Sequence, residues 1–474
     1  MYTYQDFCEE KDVKVAIRLA LESHRDSDLY KTAVIADDYD HQRNTTINNY
    51  VRTIWTLSGS AIEDFTASNN KICSNFFHRL NTQRNTYSLG NGVSFTDNIT
   101  TQVDEDGIEK QIDTTKEKLG DKFDTDLSHT AYYALIHGVA FGFWNVDRLH
   151  TFRVTEFCPL YDEETGALRA GIRFWQIDNT KPMYAVLYEE DGYTKYRAEA
   201  HTYDFKEVQG KLGYKQIVRH TEANGDAVIG EENYGVLPII PLYGSELKQS
   251  TLIGMREKID SFDLIRSGFA NDLTDCAEIY WILENCSGMS DAELAKFRDR
   301  LKINHIAVVD TDNSAATPYT QDIPYQARKT YLDDIRAGIY EDFGGLDVHT
   351  VAAGATNDHI DAAYQPMDEN ADDFEYQVIE FIQQVLAING IEDTPIFKRN
   401  RISNQTEQTQ MVLSAAEYLD DETILKKLPF ITVDEVKEIL AKRDQQDEDR
   451  FEEQQEQFQQ QKQMNPQQEE QPNE

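Results

Sequence analysis

The sequence predicts an α+β subunit of several domains, on three observations. Between Thr151 and Thr221, short alternating apolar and polar segments follow one another, separated by turns at Glu164-Thr-Gly166, Glu190-Asp-Gly192 and Asn224-Gly225, as in an antiparallel meander. From Leu252 to Leu283 the pattern changes to three- and four-residue steps. Met255, Ile259, Phe262, Phe269, Leu273, Cys276 and Tyr280 form an apolar stripe, with Asp260, Asp263, Ser267, Asn271, Asp275 and Glu278 on a second, mostly acidic one. One helix of that length would run roughly 45 Å. The third observation is size: 474 residues suggest about three domains, and 40% apolar with 11% aromatic residues supply real cores.

In chain order, Asp12 to His24 reads as a helix with Val13, Ile17, Ala20, Leu21 and His24 on one face, His24 being a surface residue rather than a ligand. Helices are expected over His41 to Leu57 and Ile62 to Leu80, then a strand with a Gly-Asn-Gly turn over Asn85 to Phe95. That turn lacks the Gly-Lys-Ser/Thr ending of a phosphate loop. Thr96 to Gln111 is expected as a polar loop, Thr115 to His137 as a helix, and Gly138 to Val146 as a buried strand.

Past the long amphipathic stretch, Ser290 caps a short helix reaching Leu301, with Asp291 and Glu293 in its first turn. Asn304 to Asp310 reads as a strand and Thr311 to Thr317 as a turn. Pro324 opens a second long helix, Tyr331, Leu332, Ile335, Ile339 and Phe343 on its apolar side. Gly344 to His359 is a loop of small residues, followed by a helix from Asp361 ended by Asn389-Gly390. Thr394 to Asn400 is a short strand leading into a helix over Ser403–Leu419; in Thr423–Leu440 the run Thr423-Ile-Leu-Lys-Lys-Leu-Pro-Phe430 precedes another helix. From Asp444 on, Gln, Glu and Asp dominate and order is expected to fade.

Composition excludes several classes. With 85 acidic against 46 basic residues, the formal net charge is −39, which disfavours tight sequence-independent nucleic-acid binding. Five scattered cysteines (Cys8, Cys73, Cys158, Cys276, Cys286) give neither a zinc knuckle nor a disulfide framework. The polar N-terminus does not read as a signal peptide, and no apolar run of about 18 residues suggests a membrane span.

The run Leu237-Pro-Ile-Ile-Pro-Leu-Tyr, a short linker, then Leu252…Lys258-Ile-Asp-Ser-Phe-Asp263…Ser267…Asn271-Asp-Leu273, resembles the portal proteins of tailed bacteriophages with long non-contractile tails. The order of elements along nearly the whole chain is similar too. The resemblance implies an antiparallel-sheet wing (residues 1–250), a first stem helix (251–283), a small α/β clip (284–323) and a second stem helix (324–343). It further implies a tunnel loop (344–360), a long helix with a return strand (361–400), a helical crown (401–443) and an acidic tail (444–474).

It implies a ring, dodecameric in the virion, at one capsid vertex, through which double-stranded DNA enters and leaves. Expected partners are the capsid and scaffolding proteins, the terminase large subunit and the head–tail adaptor. No membrane, cofactor or catalytic residue is implied. The clip would dock motor and adaptor, with Asp291, Glu293, Lys296, Arg300, Asp310 and Asp312 at hand. The acidic stripe Asp260, Asp263, Ser267, Asn271, Asp275, Glu278 would line the channel. The tunnel loop would touch DNA through Val348, His349, Thr350, Val351, Ala352, Ala353, Gly354, Ala355, Thr356, Asn357 and His359. The net charge fits either an acid-lined channel, since a wall that gripped phosphates would stall moving DNA, or a surface kept acidic only for solubility.

Two other readings stand beside this one. A metal-dependent nuclease built on acidic clusters finds no ligand spacing on a single element; Asp310 and Asp312 read as turn formers, His349 and His359 as unligated loop residues. A monomeric scaffold or adaptor would form no closed ring.

Overall fold

Seven residues, Val139–Asn145, form the buried strand that the Gly-rich pattern predicts, and much of the molecule is laid around it. In the computed structural model this strand is the centre of a three-stranded antiparallel sheet, with Ile239–Tyr243 on one side and Arg148–Arg153 on the other. The structure describes residues 2–55, 59–64, 67–103, 109–200, 202–221, 225–275, 280–284, 290, 292, 296, 315–319, 324–348, 356–401, 405–415, 420–428, 436, 439–440 and 442.

Pro241 sits on the edge strand, where its missing N–H costs no ladder bond. Gly142 faces Phe381 and Leu149, which occupy the space a β-carbon would take. Helix Phe123–His137 and the later part of helix Asn357–Ile388 pack here through Leu127, Ala131, Phe374, Val378 and Phe381, closing the first core around Trp144.

The meander is present as expected. Strands Phe157–Tyr161, Leu168–Trp175, Met183–Glu189, Gly192–Ala198 and Phe205–Leu212 form one antiparallel sheet in sequential order. Alternation places Tyr196 and Ala198 inward, against Ile17, Ala20 and Leu21 of helix Val13–Asp26. An aromatic core of Phe141, Phe143, Phe152, Phe157, Tyr188 and Tyr214 fills the space between the two sheets. His24 is not a surface residue. It is buried, its Nε2–H donates to the Val154 carbonyl at 2.8 Å, and burial pushes its pKa down.

Several boundaries differ from the expectation. The expected helix over His41–Leu57 is absent from its described part, 41–55, where a single turn, Thr45–Asn48, is followed by strand Thr53–Trp55, paired with Ala61–Glu63. The helix placed at Ile62–Leu80 runs instead from Phe76 to Leu89, into the expected strand, of which Val93–Phe95 remains and pairs with Pro395–Phe397. The polar loop after Thr96 contains the hairpin Ile99–Val103/Glu109–Asp113. The helix expected over Thr115–His137 breaks at Gly120, whose φ of 84° an L-residue resists.

The long helix is 20 residues, Arg256–Asp275, roughly 30 Å. Tyr280–Glu284 is a strand paired with Ala315–Tyr319, so part of the expected Thr311–Thr317 turn is strand as well. Tyr-Trp-Ile-Leu is an apolar run whose periodicity fits helix and strand alike, and its aromatic and branched residues favour the pleat. The second long helix, Tyr325–Phe343, is as expected.

The chain divides into two compact units. One comprises Met1–Asp347 with Pro366–Asn400, the other Val348–Gln365 with Arg401–Glu474. In the second, helices Gln405–Ser414 and Asp421–Lys427 are described, the latter capped by Asp420 receiving the Thr423 N–H at 3.1 Å. Residues 443–474, including the expected disordered tail, lie outside the described residues. Among the described residues no helix is long and apolar enough to cross a membrane.

Gly344 ends the second long helix at φ 63°, and a β-carbon there would overlap the Asn370 amide. Asn370 donates to the Pro366 carbonyl at 3.0 Å and the Phe343 carbonyl at 3.4 Å, and would have to give these up. Gly344→Ala is expected to lower stability by about 2 kcal/mol, αL strain being about 1 of it. A urea midpoint equal to the parent's would show that this turn relaxes freely.

Candidate functional site

Helices Arg256–Asp275 and Tyr325–Phe343 pack together. Ile259, Ile339, Tyr340 and Phe343 share a core with Leu80 and Ile136, with Phe262 and Ile335 at its margin. Phe76 meets Phe262 edge to face at 5.0 Å, and Phe269 lies 5.8 Å from Tyr325. Lys258 pairs with Asp342 and Arg328 with Asp272 across the two helices.

The acidic stripe serves a purpose that its composition does not announce. Asp263 is 0% exposed, and Ser267 and Asn271 are also buried. Asp263 accepts the Ser74 N–H at 2.9 Å and the Asn44 amide at 2.9 Å; Ser267 Oγ accepts the Ile72 N–H at 3.0 Å; Asn271 Oδ1 accepts the Asn70 N–H at 2.6 Å. Four helical residues advance about 6 Å. Two extended residues advance about 6.6 Å. Alternate N–H groups of residues 70–74, running antiparallel to the helix, therefore find successive acceptors along one helical face. Side chains replace the partner strand.

These three side chains are thus engaged inside the subunit, and a channel-lining role is withdrawn for them, because a channel wall needs groups open to solvent. Asp260 is held as well, by Tyr39 OH and by Thr46 Oγ1 at 2.8 Å; burial and the Asp260 carboxylate push Tyr39 up to about 12. Burial raises the pKa of Asp263, outweighing its bonds from Asn44 and Ser74. Asp275 is the last residue of its helix, and Glu278 lies outside the described residues.

The start of the expected tunnel loop is fixed. Gln83 brackets Leu346, donating to its carbonyl at 3.0 Å and accepting its N–H at 3.1 Å. Arg84 donates to the Phe343 carbonyl at 2.9 Å, at the negative end of that helix, and its burial pulls its pKa down to about 10. Arg336 holds Asp347 at 3.0 Å. Val348 and Thr356 are exposed. His349, Thr350, Val351, Ala352, Ala353, Gly354 and Ala355 lie outside the described residues. Asn357 and His359 belong to helix Asn357–Ile388, which begins four residues earlier than expected, so they are not loop residues; His359 is exposed.

Of the expected clip residues, Lys296 is helical and exposed; Asp291, Glu293, Arg300, Asp310 and Asp312 lie outside the described residues, as does the strand expected at Asn304–Asp310. No group of His, Cys, Asp and Glu suited to a metal ion occurs among the described residues. Asn44, Gln83 and Arg84 escaped the sequence reading. Each bonds across more than 200 residues, and no local pattern marks such a partner.

Comparison with known proteins gives the arrangement its context. The chain is 23% identical over 411 residues to the portal protein of Bacillus phage SPP1, covering 80% of this chain and 77% of that protein. It is 27% identical over 218 residues to the portal protein of Clostridium phage phiCD119, covering 44% and 48%. Residues 21–449 match the family described as phage portal protein, SPP1 Gp6-like. The chain therefore belongs to this family of structural virion components, and its function is that of a bacteriophage portal protein.

Proposed function

We propose that copies of this chain close into a ring around a channel for double-stranded DNA at one capsid vertex, dodecameric in the virion, serving packaging, retention and ejection. The observation that carries the proposal is the family match over residues 21–449, which spans the whole helical pair and the segments on either side of it. In this reading Arg256–Asp275 and Tyr325–Phe343 are the stem, Tyr280–Glu284 with Ala315–Tyr319 belongs to the clip, and the segment between Tyr325–Phe343 and Asn357–Ile388 lies next to DNA. Sequences 1–250 and 401–443 are wing and crown. The clip receives the terminase large subunit during packaging and the head–tail adaptor afterwards, while the outer wall meets capsid and scaffolding proteins.

Large apolar side chains left exposed on the stem, Leu264, Leu273, Tyr325 and Tyr331, favour a ring over a monomeric scaffold. Purified protein is expected to scatter light as a closed particle many times 54.6 kDa, with a central hole in negative-stain micrographs. A stable monomer across salt and pH would instead support the scaffold reading.

A further inference from the structure

We propose that the hairpin Thr53–Trp55/Ala61–Glu63, with the groove at its base, is the docking arm by which each copy grips the next. The inference rests on the ring reading above. All six residues of the two strands are exposed, the apolar ones included, with Trp55 at 75%, Ile62 at 47% and Ile54 at 46%. Its register pairs Ile54 with Ile62 and Trp55 with Ala61. Facing pairs alternate sides, so apolar groups stand on both faces. A two-stranded hairpin without a packed face is marginal in water. It therefore needs a cover present whenever the protein is in its working state, which a permanent copy supplies and a transient partner does not.

Charge favours the same occupant. Copies of a chain carrying −39 repel one another, so contact is easiest where acid is scarce. Residues 41–75 hold two acids, Glu63 and Asp64, against three bases, Arg43, Arg52 and Lys71, in a chain with 85 acids to 46 bases. The groove, about 300 Å³, is lined by apolar Ile47, Tyr50 and Leu264 together with Arg52 and Lys71, while Arg328 there is paired with Asp272, so the lining keeps two bases beyond that pair. An apolar, acidic surface fits it, and this chain's own surface is acidic.

The complementary patch lies on the same helix. Leu264 lines the groove, and Leu273 is nine residues further, two and a half turns, hence on the opposite side. Leu273 is exposed, as is Tyr325, which rests on Phe269. Two different patches on opposite sides make a head-to-tail contact, the kind that closes rings.

The test uses the full chain, light scattering and far-UV circular dichroism. Trp55→Ser with Ile62→Ser, and separately Leu273→Arg, touch no core side chain. Each is expected to keep the parent's spectrum and melt while the protein concentration needed for rings rises at least tenfold, the size of a modest hot spot. Mixed one to one, the two variants are expected to form dimers that grow no further, since one intact arm meets one intact patch. Rings from the double variant at parental concentrations would overturn the arm. So would a mixture that stays monomeric, or normal rings that fail only in joining capsid protein. If the double variant loses its cooperative melt, Leu273→Arg with the parental protein as chain terminator decides, because it should cap growing assemblies. A parental chain that forms no ring would sink the ring reading instead.

Discussion

Asp263→Ala is expected to destabilise the first unit by about 2–4 kcal/mol, because it strands two buried donors, the Ser74 N–H and the Asn44 amide. Asn44 cannot turn away. Its carbonyl already accepts the Thr46 N–H at 3.0 Å and Tyr39 OH at 3.1 Å. Asp263→Asn is expected to cost about half as much, since one arm of the amide sets a donor against donors. The acidic stripe read as solvent-facing would make the same change neutral, so the urea midpoint separates the two views. The pH dependence has a definite sign. Burial raises the Asp263 pKa above its ordinary value of 3.8, so ionisation in the folded state is disfavoured. Its contribution to stability therefore falls as pH climbs from the unfolded-chain value through the raised one, and is level above that. Asp263→Asn should flatten this segment of the stability–pH curve, and an unchanged slope would place the titration elsewhere.

Arg399→Met is expected to cost about 2–3 kcal/mol. Arg399 grips Glu375 with two nitrogens at 3.0 and 2.9 Å, Asp368 at 3.0 Å, and Asp372. These acids recur at four- and three-residue steps on helix Asn357–Ile388, so they share one face. Together they hold the guanidinium well above its usual range. Backbone pairing fixes Arg399 in place: Pro395–Phe397 is laddered to Val93–Phe95, and the Asn400 N–H reaches the Tyr87 carbonyl at 2.9 Å. Without the arginine, three carboxylates are left crowded in a chain already far from neutral. Repulsion of that kind is screened, so 1 M salt, with a Debye length of about 3 Å, should recover part of the loss. A cost under about 0.5 kcal/mol at low salt would mean that solvent screens these pairs as at an ordinary surface.

The sequence by itself determined the α+β class, the meander, the buried strand at Val139–Asn145, the second long helix and the family. These rest on period and punctuation: alternation with Gly turns, three- and four-residue apolar steps, and a motif in which Pro-Ile-Ile-Pro precedes Ile-Asp-Ser-Phe-Asp. Tertiary structure decided the rest. Residues 70–74 are laid along a helix because Asp263, Ser267 and Asn271 take their N–H groups, which is why a helix expected over Ile62–Leu80 does not form there. His24 goes inward because the Val154 carbonyl, 130 residues away, accepts a hydrogen bond from its Nε2–H. Tyr280–Glu284 pairs with a strand more than 30 residues on rather than extending a helix. In each case an acidic or apolar stripe has the same local pattern whether it meets solvent or a distant backbone. Only the partner brought beside it tells the two apart, because a buried polar group keeps its place by the hydrogen bonds it finds there.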